Sequence, residues 1–227
     1  MSNKFKKIAS QAALKYINNN SIIGIGSGTT IKYFINMLFK IKNRINGFVS
    51  TSITSTNELK KYNFPIYDSS EIDFIDVYFD SADEINNNME MIKGGGAALT
   101  NEKIISSIAN IFICIVDQSK HVNILGKIHP LPIEIIPTAK SYVFKELFKL
   151  GGLPKLREGI ITEHGNIILD IYHLDIIEPI KLEKYINSIA GVVTVGLFAN
   201  RCADIVITGN YDYTISVKKN IKLLSSN

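Results

Sequence analysis

The stretch Ser21-Ile22-Ile23-Gly24-Ile25-Gly26-Ser27-Gly28-Thr29-Thr30 passes from apolar, β-prone residues to glycines and hydroxyls. Its first half reads as a short buried strand, and its second half as a glycine-containing loop entering a helix. Thr29 or Thr30 is placed to cap that helix, and Phe34, Ile35, Leu38 and Phe39 give it a buried face up to about Lys40. A strand that breaks through glycine into a helix is the building unit of a parallel α/β sheet.

The neighbouring sequence repeats the pattern. Upstream, Phe5, Ile8, Ala9, Ala12, Ala13 and Tyr16 recur at helical spacing and predict a helix over 3–19. Downstream come a strand at GFVSTSI (47–53), a short helix at TSTNELKKYN (54–63), a strand at IDFIDVYFD (72–80), a helix over about 97–110 and a strand at IFICIVD (111–117). This alternation predicts an open parallel sheet. From about Pro130 the texture changes. PLPIEIIP (130–137) carries three prolines in an apolar run, as expected of an edge strand or an extended crossover. A helix ending in Gly151-Gly152, a polar turn at TEHGN (162–166), a strand (166–174), a helix (178–190) and a strand at GVVTVGLF (191–198) suggest a small α+β unit around an antiparallel sheet. The segment from Ala203 onward is expected to return to the first sheet.

A chain of 227 residues has room for one large domain or two modest ones. Its 46% hydrophobic and 20% charged content is that of a globular protein and argues against a disordered tail. No apolar run approaches the ~18 residues that span a bilayer, so no membrane partner is expected. The opening MSNKFKKIASQAAL lacks an apolar signal core, which leads to the expectation of a cytoplasmic protein. Cys114, inside IFICIV, reads as a buried small residue, and Cys202 has no adjacent histidine to activate it. The formal charge of +4 comes from scattered lysines, without the basic stripe of a nucleic-acid binder, and fits attraction of an anionic substrate.

Three features fall at carboxyl ends of predicted strands, where open α/β sheets bind ligands. In the first, Ser27, Gly28, Thr29 and Thr30 offer hydroxyls and backbone N–H groups at a helix start, a setting for phosphate. No lysine follows the last glycine as in a Walker loop, and an ordinary strand-to-helix turn is the competing reading. The second, Asp80-Ser81-Ala82-Asp83-Glu84, packs three carboxylates into five residues; a solvated turn and a hard-cation site compete with a catalytic role. The third, Lys93-Gly94-Gly95-Gly96 running into Ala97–Lys103, joins a fixed positive charge to glycines whose amides can approach an anion, with Glu102 in the following helix. A flexible loop with a solvated Glu102 is its alternative. Together the three fit an aldose–ketose isomerisation. That reaction needs a base at carbon, donors for an enediolate oxygen, groups that move hydroxyl protons, and a phosphate anchor. Glu102, with an ordinary pKa of about 4.3, suits the base. Lys93 and the glycine amides suit the oxyanion, and Asp80 and Asp83 suit the hydroxyl protons and ring opening. No metal or other cofactor is required.

GIGSGTT, DSADE, KGGGAALTNEK, DQSK, LGKIHPLPIEIIP and GVVTVGLFANRCAD, in this order, resemble the motifs of the type A ribose-5-phosphate isomerases. The similarity runs almost end to end. It implies interconversion of ribose 5-phosphate and ribulose 5-phosphate in the non-oxidative pentose phosphate pathway, by a homodimer or a tetramer. It implies an α/β fold: a Rossmann-like open-sheet domain over 1–128 and 200–227, with a ferredoxin-like α+β domain inserted over 129–199. Glu102 matches the family's catalytic carboxylate. Its substrate-binding segments match Ser27, Gly28, Thr29 and Thr30; Asp80, Ser81, Ala82 and Asp83; Lys93, Gly94, Gly95 and Gly96; and Lys120. Lys6 aligns with a lysine that reaches the phosphate. The chain departs from the family at Ser81, where glycine is common; if that position needs positive φ, serine costs on the order of 1 kcal/mol. Cys202 also stands where glycine is usual, and His129 looks like an insertion. Two other readings compete. An amino-sugar deaminase would want a histidine near the base, whereas His121, His129, His164 and His173 lie outside all three motifs. A sugar-phosphate-sensing transcription regulator would need a DNA-reading unit, for which the residues before the first strand are too few. Since no step of this chemistry calls for a metal, the isomerisation rate is expected to be unchanged by EDTA; a rate that drops with EDTA and returns with a divalent cation contradicts the metal-free scheme.

Overall fold

The structure, a computed structural model, describes residues 2–220. Along the chain come α1 (Ser2–Ala13), β1 (Ser21–Ile25), α2 (Thr29–Leu38), β2 (Ile45–Ser50), α3 (Ile53–Lys60) and β3 (Ile75–Asp80). Two short strands, β4 (Glu84–Ile85) and β5 (Met91–Ile92), precede α4 (Leu99–Ile108) and β6 (Ala109–Asp117). Then follow β7 (Leu131–Ile135), α5 (Lys140–Phe148), β8 (Leu153–Leu156), β9 (Ile167–Tyr172), α6 (Pro179–Asn187) and β10 (Val192–Val195). The last strands are β11 (Leu197–Phe198), β12 (Ile205–Gly209) and β13 (Ile215–Lys219). The described residues form two compact units: 2–82 with 101–120 and 203–220, and 83–100 with 121–202.

The first unit is built on a six-stranded sheet, β13-β12-β6-β3-β1-β2, parallel except for the antiparallel edge pair β12–β13. Its central strands are buried along most of their length, as parallel strands covered by helices must be. Ala9 and Ala13 of α1 and Ile31, Phe34, Ile35 and Leu38 of α2 pack with Ile23, Ile25, Phe79, Ile113 and Ile207 into one apolar core. In this register Ile25 pairs with Phe79, Asp80 with Cys114, and Gly209 with Asp117. The loops after β1, β3 and β6 therefore leave the sheet at one edge, its carboxyl edge.

The second unit contains β7-α5-β8-β9-α6-β10 folded as a four-stranded antiparallel sheet of order β10-β7-β9-β8, the ferredoxin-like arrangement. Its core joins Leu131, Ile133 and Ile135 to Val143, Leu147, Leu169, Ile171 and Ile186. β7, with Pro132 inside it, is an inner strand between β10 and β9, not the edge strand or crossover expected from the three prolines of 130–137. Pro132 is accommodated because β10 pairs only with Ile133–Ile135. The Pro132 carbonyl accepts from Gly196 N (2.7 Å), and the imide nitrogen faces the same side, beyond the last β10 residue, where a missing N–H breaks no ladder bond. GVVTVGLF, expected as one strand, is two: Gly196 separates β10 from β11, which joins β5 and β4 in a small second sheet. A side chain at Gly196 would stand 2.3 Å from the Lys93 carbonyl oxygen.

Glu84, fully buried on β4, shapes the loop before β7. It accepts from the backbone N–H of Gly126 (2.7 Å), Ile128 (2.6 Å) and His129 (2.6 Å). A glutamine there keeps the volume but exchanges one acceptor oxygen for a donor that meets N–H groups head-on. Glu84→Gln is expected to lower stability by about 2 kcal/mol, read as the shift in urea midpoint at unchanged m-value; a midpoint matching wild type would show that this carboxylate does not hold the loop.

Candidate active site

At the carboxyl edge of the six-stranded sheet, Asp80 ends β3 with its carboxylate fully buried. Its Oδ1 accepts from the backbone N–H of Ser81 (2.7 Å) and Ser27 (3.0 Å), and the Tyr78 hydroxyl donates to Oδ2. The carboxylate thus ties the end of its own strand to the loop after β1. Gly26 makes this possible, because a Cβ there would lie 1.9 Å from Asp80 Cγ. Burial pushes the Tyr78 phenol well above its ordinary pKa, and the Asp80 and Glu102 charges push it the same way. Tyr78 therefore stays a neutral donor.

The loop after β1 carries the four predicted residues Ser27–Thr30. The expected threonine cap is absent: Gly28 is the N-cap of α2, at φ 93°, and Thr29 and Thr30 lie inside the helix. Thr29 Oγ1 instead accepts from Lys6 Nζ (3.0 Å), and the Thr30 carbonyl accepts from Ser10 Oγ (3.2 Å). The Gly26 carbonyl accepts from Ser55 Oγ (2.6 Å), on a helix capped by Ser52. Ser27 Oγ donates to Glu102 Oε1 (2.7 Å), which brings the predicted base, only 2% exposed, to the predicted phosphate loop. Asn101, the preceding residue of α4, donates from Nδ2 to the Thr51 carbonyl (3.1 Å). Lys120 closes the short turn after β6, at the same sheet edge. Ser81 is not among the described non-glycine residues with positive φ, so the backbone cost considered for it does not arise. Its hydroxyl donates to the Ser27 carbonyl (3.3 Å), a further tie between the loops.

In the second unit, Lys93 is 3% exposed; its N–H donates to the Gly196 carbonyl (2.8 Å), and its Nζ stands 5.5 Å from the Phe198 ring centre. Asp83 Oδ2 accepts from Gly95 N (2.8 Å), with no room for a Cβ at Gly95, which would meet Asp83 Oδ1 at 2.8 Å. The glycine run closes with a bond from Ala97 N to the Gly94 carbonyl (3.0 Å). Ala97 takes a left-handed conformation, φ 61°, which costs an L-residue roughly 1–2 kcal/mol and delays the helix to Leu99 rather than the expected Ala97. Three supporting residues escape a reading of the sequence: Arg157, Asp170 and Glu134. Arg157 Nη1 donates to the Gly94 carbonyl (2.9 Å). Glu134 accepts from Thr100 Oγ1, from Thr162 Oγ1 (2.8 Å) and from Asn166 Nδ2 (2.9 Å), so it anchors the start of α4.

Residues 47–212 match the family model described as ribose 5-phosphate isomerase A (phosphoriboisomerase A). The chain is 56% identical over 220 residues to the ribose-5-phosphate isomerase A of Buchnera aphidicola subsp. Acyrthosiphon pisum (strain Tuc7), covering 96% of this chain and 98% of the relative. Its fold matches the crystal structure of ribose 5 phosphate isomerase A from Neisseria gonorrhoeae at a TM-score of 0.93, with 41% identity over 97% of this chain and 98% of that one. It also matches a D-ribose-5-phosphate isomerase solved in complex with phospho-erythronic acid, at a TM-score of 0.92, with 37% identity over 96% and 99% of the two chains. The protein is therefore an isomerase of phosphorylated sugars. The chain belongs to the ribose 5-phosphate isomerase A family, and it interconverts ribose 5-phosphate and ribulose 5-phosphate in the pentose phosphate pathway. Among the described residues, no helix is long and apolar enough to cross a membrane.

Tyr78→Phe removes a buried donor to an anionic acceptor and is expected to cost about 1.5–3 kcal/mol at neutral pH. The phenol's pKa is raised in the folded state. Its contribution is therefore fully present below the unfolded value of about 10 and is lost as pH climbs toward the folded value. Chemical denaturation across pH 7 to 11 should show the gap between wild type and Tyr78→Phe constant up to about 9 and narrowing above 10; a constant gap throughout contradicts the shift. Ser81→Gly, which removes one hydroxyl and relieves no strain, is expected to leave KM within about threefold; a larger change in steady-state KM would give that hydroxyl a direct part in binding.

Proposed function

We propose that the isomerisation runs through an enediolate, with Glu102 carrying the proton between carbon 2 and carbon 1. The observation that carries this reading is the Ser27–Glu102 bond (2.7 Å) at the carboxyl edge of the sheet, where a buried carboxylate is held in one orientation beside a loop suited to phosphate. In this reading Ser27, Gly28, Thr29 and Thr30 take the phosphate, with Lys120 and Lys6 adding positive charge. The bond from Lys6 to Thr29 supports the lysine's part. Lys93 and the Gly94–Gly96 amides neutralise the enediolate oxygen. Asp83 moves hydroxyl protons and assists ring opening. Asp80 shares that work and, through its three donors, keeps the Ser27 loop in shape. Ser81 and Ala82 complete the substrate-binding segment. No cofactor enters the scheme.

The same reading makes the enzyme a cytoplasmic homodimer. Apolar side chains such as Ile161 (66% exposed) and Ile177 (69% exposed) support association with a second copy, and a phosphorylated sugar supports the compartment. Glu102→Gln should bind ribose 5-phosphate with near-normal affinity but lose at least about 100-fold in kcat, as expected when a general base is removed. NMR in D2O should show exchange at carbon 2 with wild type and none with the variant. Near-normal turnover by Glu102→Gln would move the base to another residue. Light scattering is expected to give twice the chain mass; the monomer mass would refute the dimer.

A further inference from the structure

Arg157, in the loop after β8, holds the glycine run from behind. Asp170 on β9 grips it in two places, accepting from Nε at 2.8 Å and from Nη2 at 2.5 Å. The pair is largely buried, with side-chain exposures of 17% and 8%, and a planar guanidinium so held is fixed in orientation. The remaining Nη1 donates to two successive carbonyls, Gly94 O (2.9 Å) and Gly95 O (3.2 Å). A trans peptide is planar, with its C=O and N–H pointing to opposite sides. A cation that takes both carbonyls therefore turns the two following N–H groups away from itself. The first, Gly95 N–H, meets Asp83 Oδ2 at 2.8 Å. The second belongs to Gly96, which is exposed.

We propose that Arg157, braced by Asp170, is a positioning residue of the isomerase: it sets the two peptide planes so that the exposed Gly96 N–H serves as a donor to the enediolate oxygen. This rests on the reading above that the Gly94–Gly96 amides hold that oxygen. The guanidinium also polarises both peptide groups, which strengthens their N–H groups as donors where negative charge develops. Four of its contacts go to Asp170 and the loop, so Arg157 acts through the backbone and not on the phosphate. Glycine at 94–96 is what lets a side chain and a substrate address the same peptides from opposite sides.

The test compares Arg157→Lys, Arg157→Ala and Asp170→Asn with wild type, using ribose 5-phosphate and working below the melting temperature of the least stable variant. Lysine keeps the charge but cannot grip Asp170 and span two carbonyls at once. Each variant is expected to lose about 10- to 100-fold in kcat, less than removal of an oxyanion donor itself, with KM within about threefold. Added guanidinium ion should restore part of the kcat of Arg157→Ala, a response that a purely structural tether would not give. The proposal is overturned if folded Arg157→Ala, or folded Asp170→Asn should the first not fold, keeps kcat within about twofold of wild type, or if the loss falls on KM alone. Carbon 2 exchange in D2O by wild type separates the two readings. Its absence would overturn the enediolate scheme and this proposal together, whereas exchange in wild type with unchanged kcat in the variants would overturn this proposal alone.

Discussion

A single buried carboxylate, Asp80, ties the loop after β1 to the end of β3. Its two oxygens take three donors, two of them backbone amides, with no exposure to solvent. Bonds to a charged acceptor are worth about 1.5–3 kcal/mol each, and a buried carboxylate left without donors is severely destabilising. The Ser27 loop therefore cannot drift from the β3 terminus without exposing that debt. Gly26 and Tyr78 follow from the same demand: one leaves the space, the other supplies a donor that stays protonated. Glu102 benefits in turn, since the serine that holds it is the residue whose amide Asp80 holds.

The second unit repeats the device with different residues. Glu84 gathers the amides of Gly126, Ile128 and His129, and Glu183 those of Ala199 and Asn200 (both 2.8 Å). Glu134 collects two hydroxyls and an amide, and Asp170 the guanidinium of Arg157. Each is a buried acceptor organising a loop that hydrophobic burial alone would leave undetermined. Solvent-facing pairs contribute little by comparison. Lys181 and Glu178, with side chains 77% and 63% exposed, form a pair of the kind that adds at most a few tenths of a kcal/mol.

Strands and helices were legible wherever burial imposes a period, as at Phe34, Ile35 and Leu38 of α2, and the clustering of motifs at strand ends followed from parallel pairing. Legibility failed where meaning depends on a distant partner. Arg157 stands in an ordinary polar loop, and nothing near it signals a carbonyl 63 residues away. Pro132 suggested an edge strand because its cost depends on which side the missing N–H faces, a property of pairing and not of composition. Thr29 resembled a cap, but Gly28 at positive φ makes the turn and frees the threonine for Lys6. Ser81 is the reverse case: the family resemblance raised a cost for serine if the position needed positive φ, and Ser81 is not among the described non-glycine residues with positive φ.

Asp80 and Glu84 grip main-chain N–H groups, which every residue except proline supplies. The grip itself therefore sets no demand on side-chain identity at Ser27, Ser81, Ile128 and His129, whereas Gly26 and Gly126 leave no room for a Cβ. Ser81, whose amide Asp80 holds, and His129, whose amide Glu84 holds, are positions of that kind. At such positions the side chain can change while the site keeps its shape, because the template there is written in the backbone.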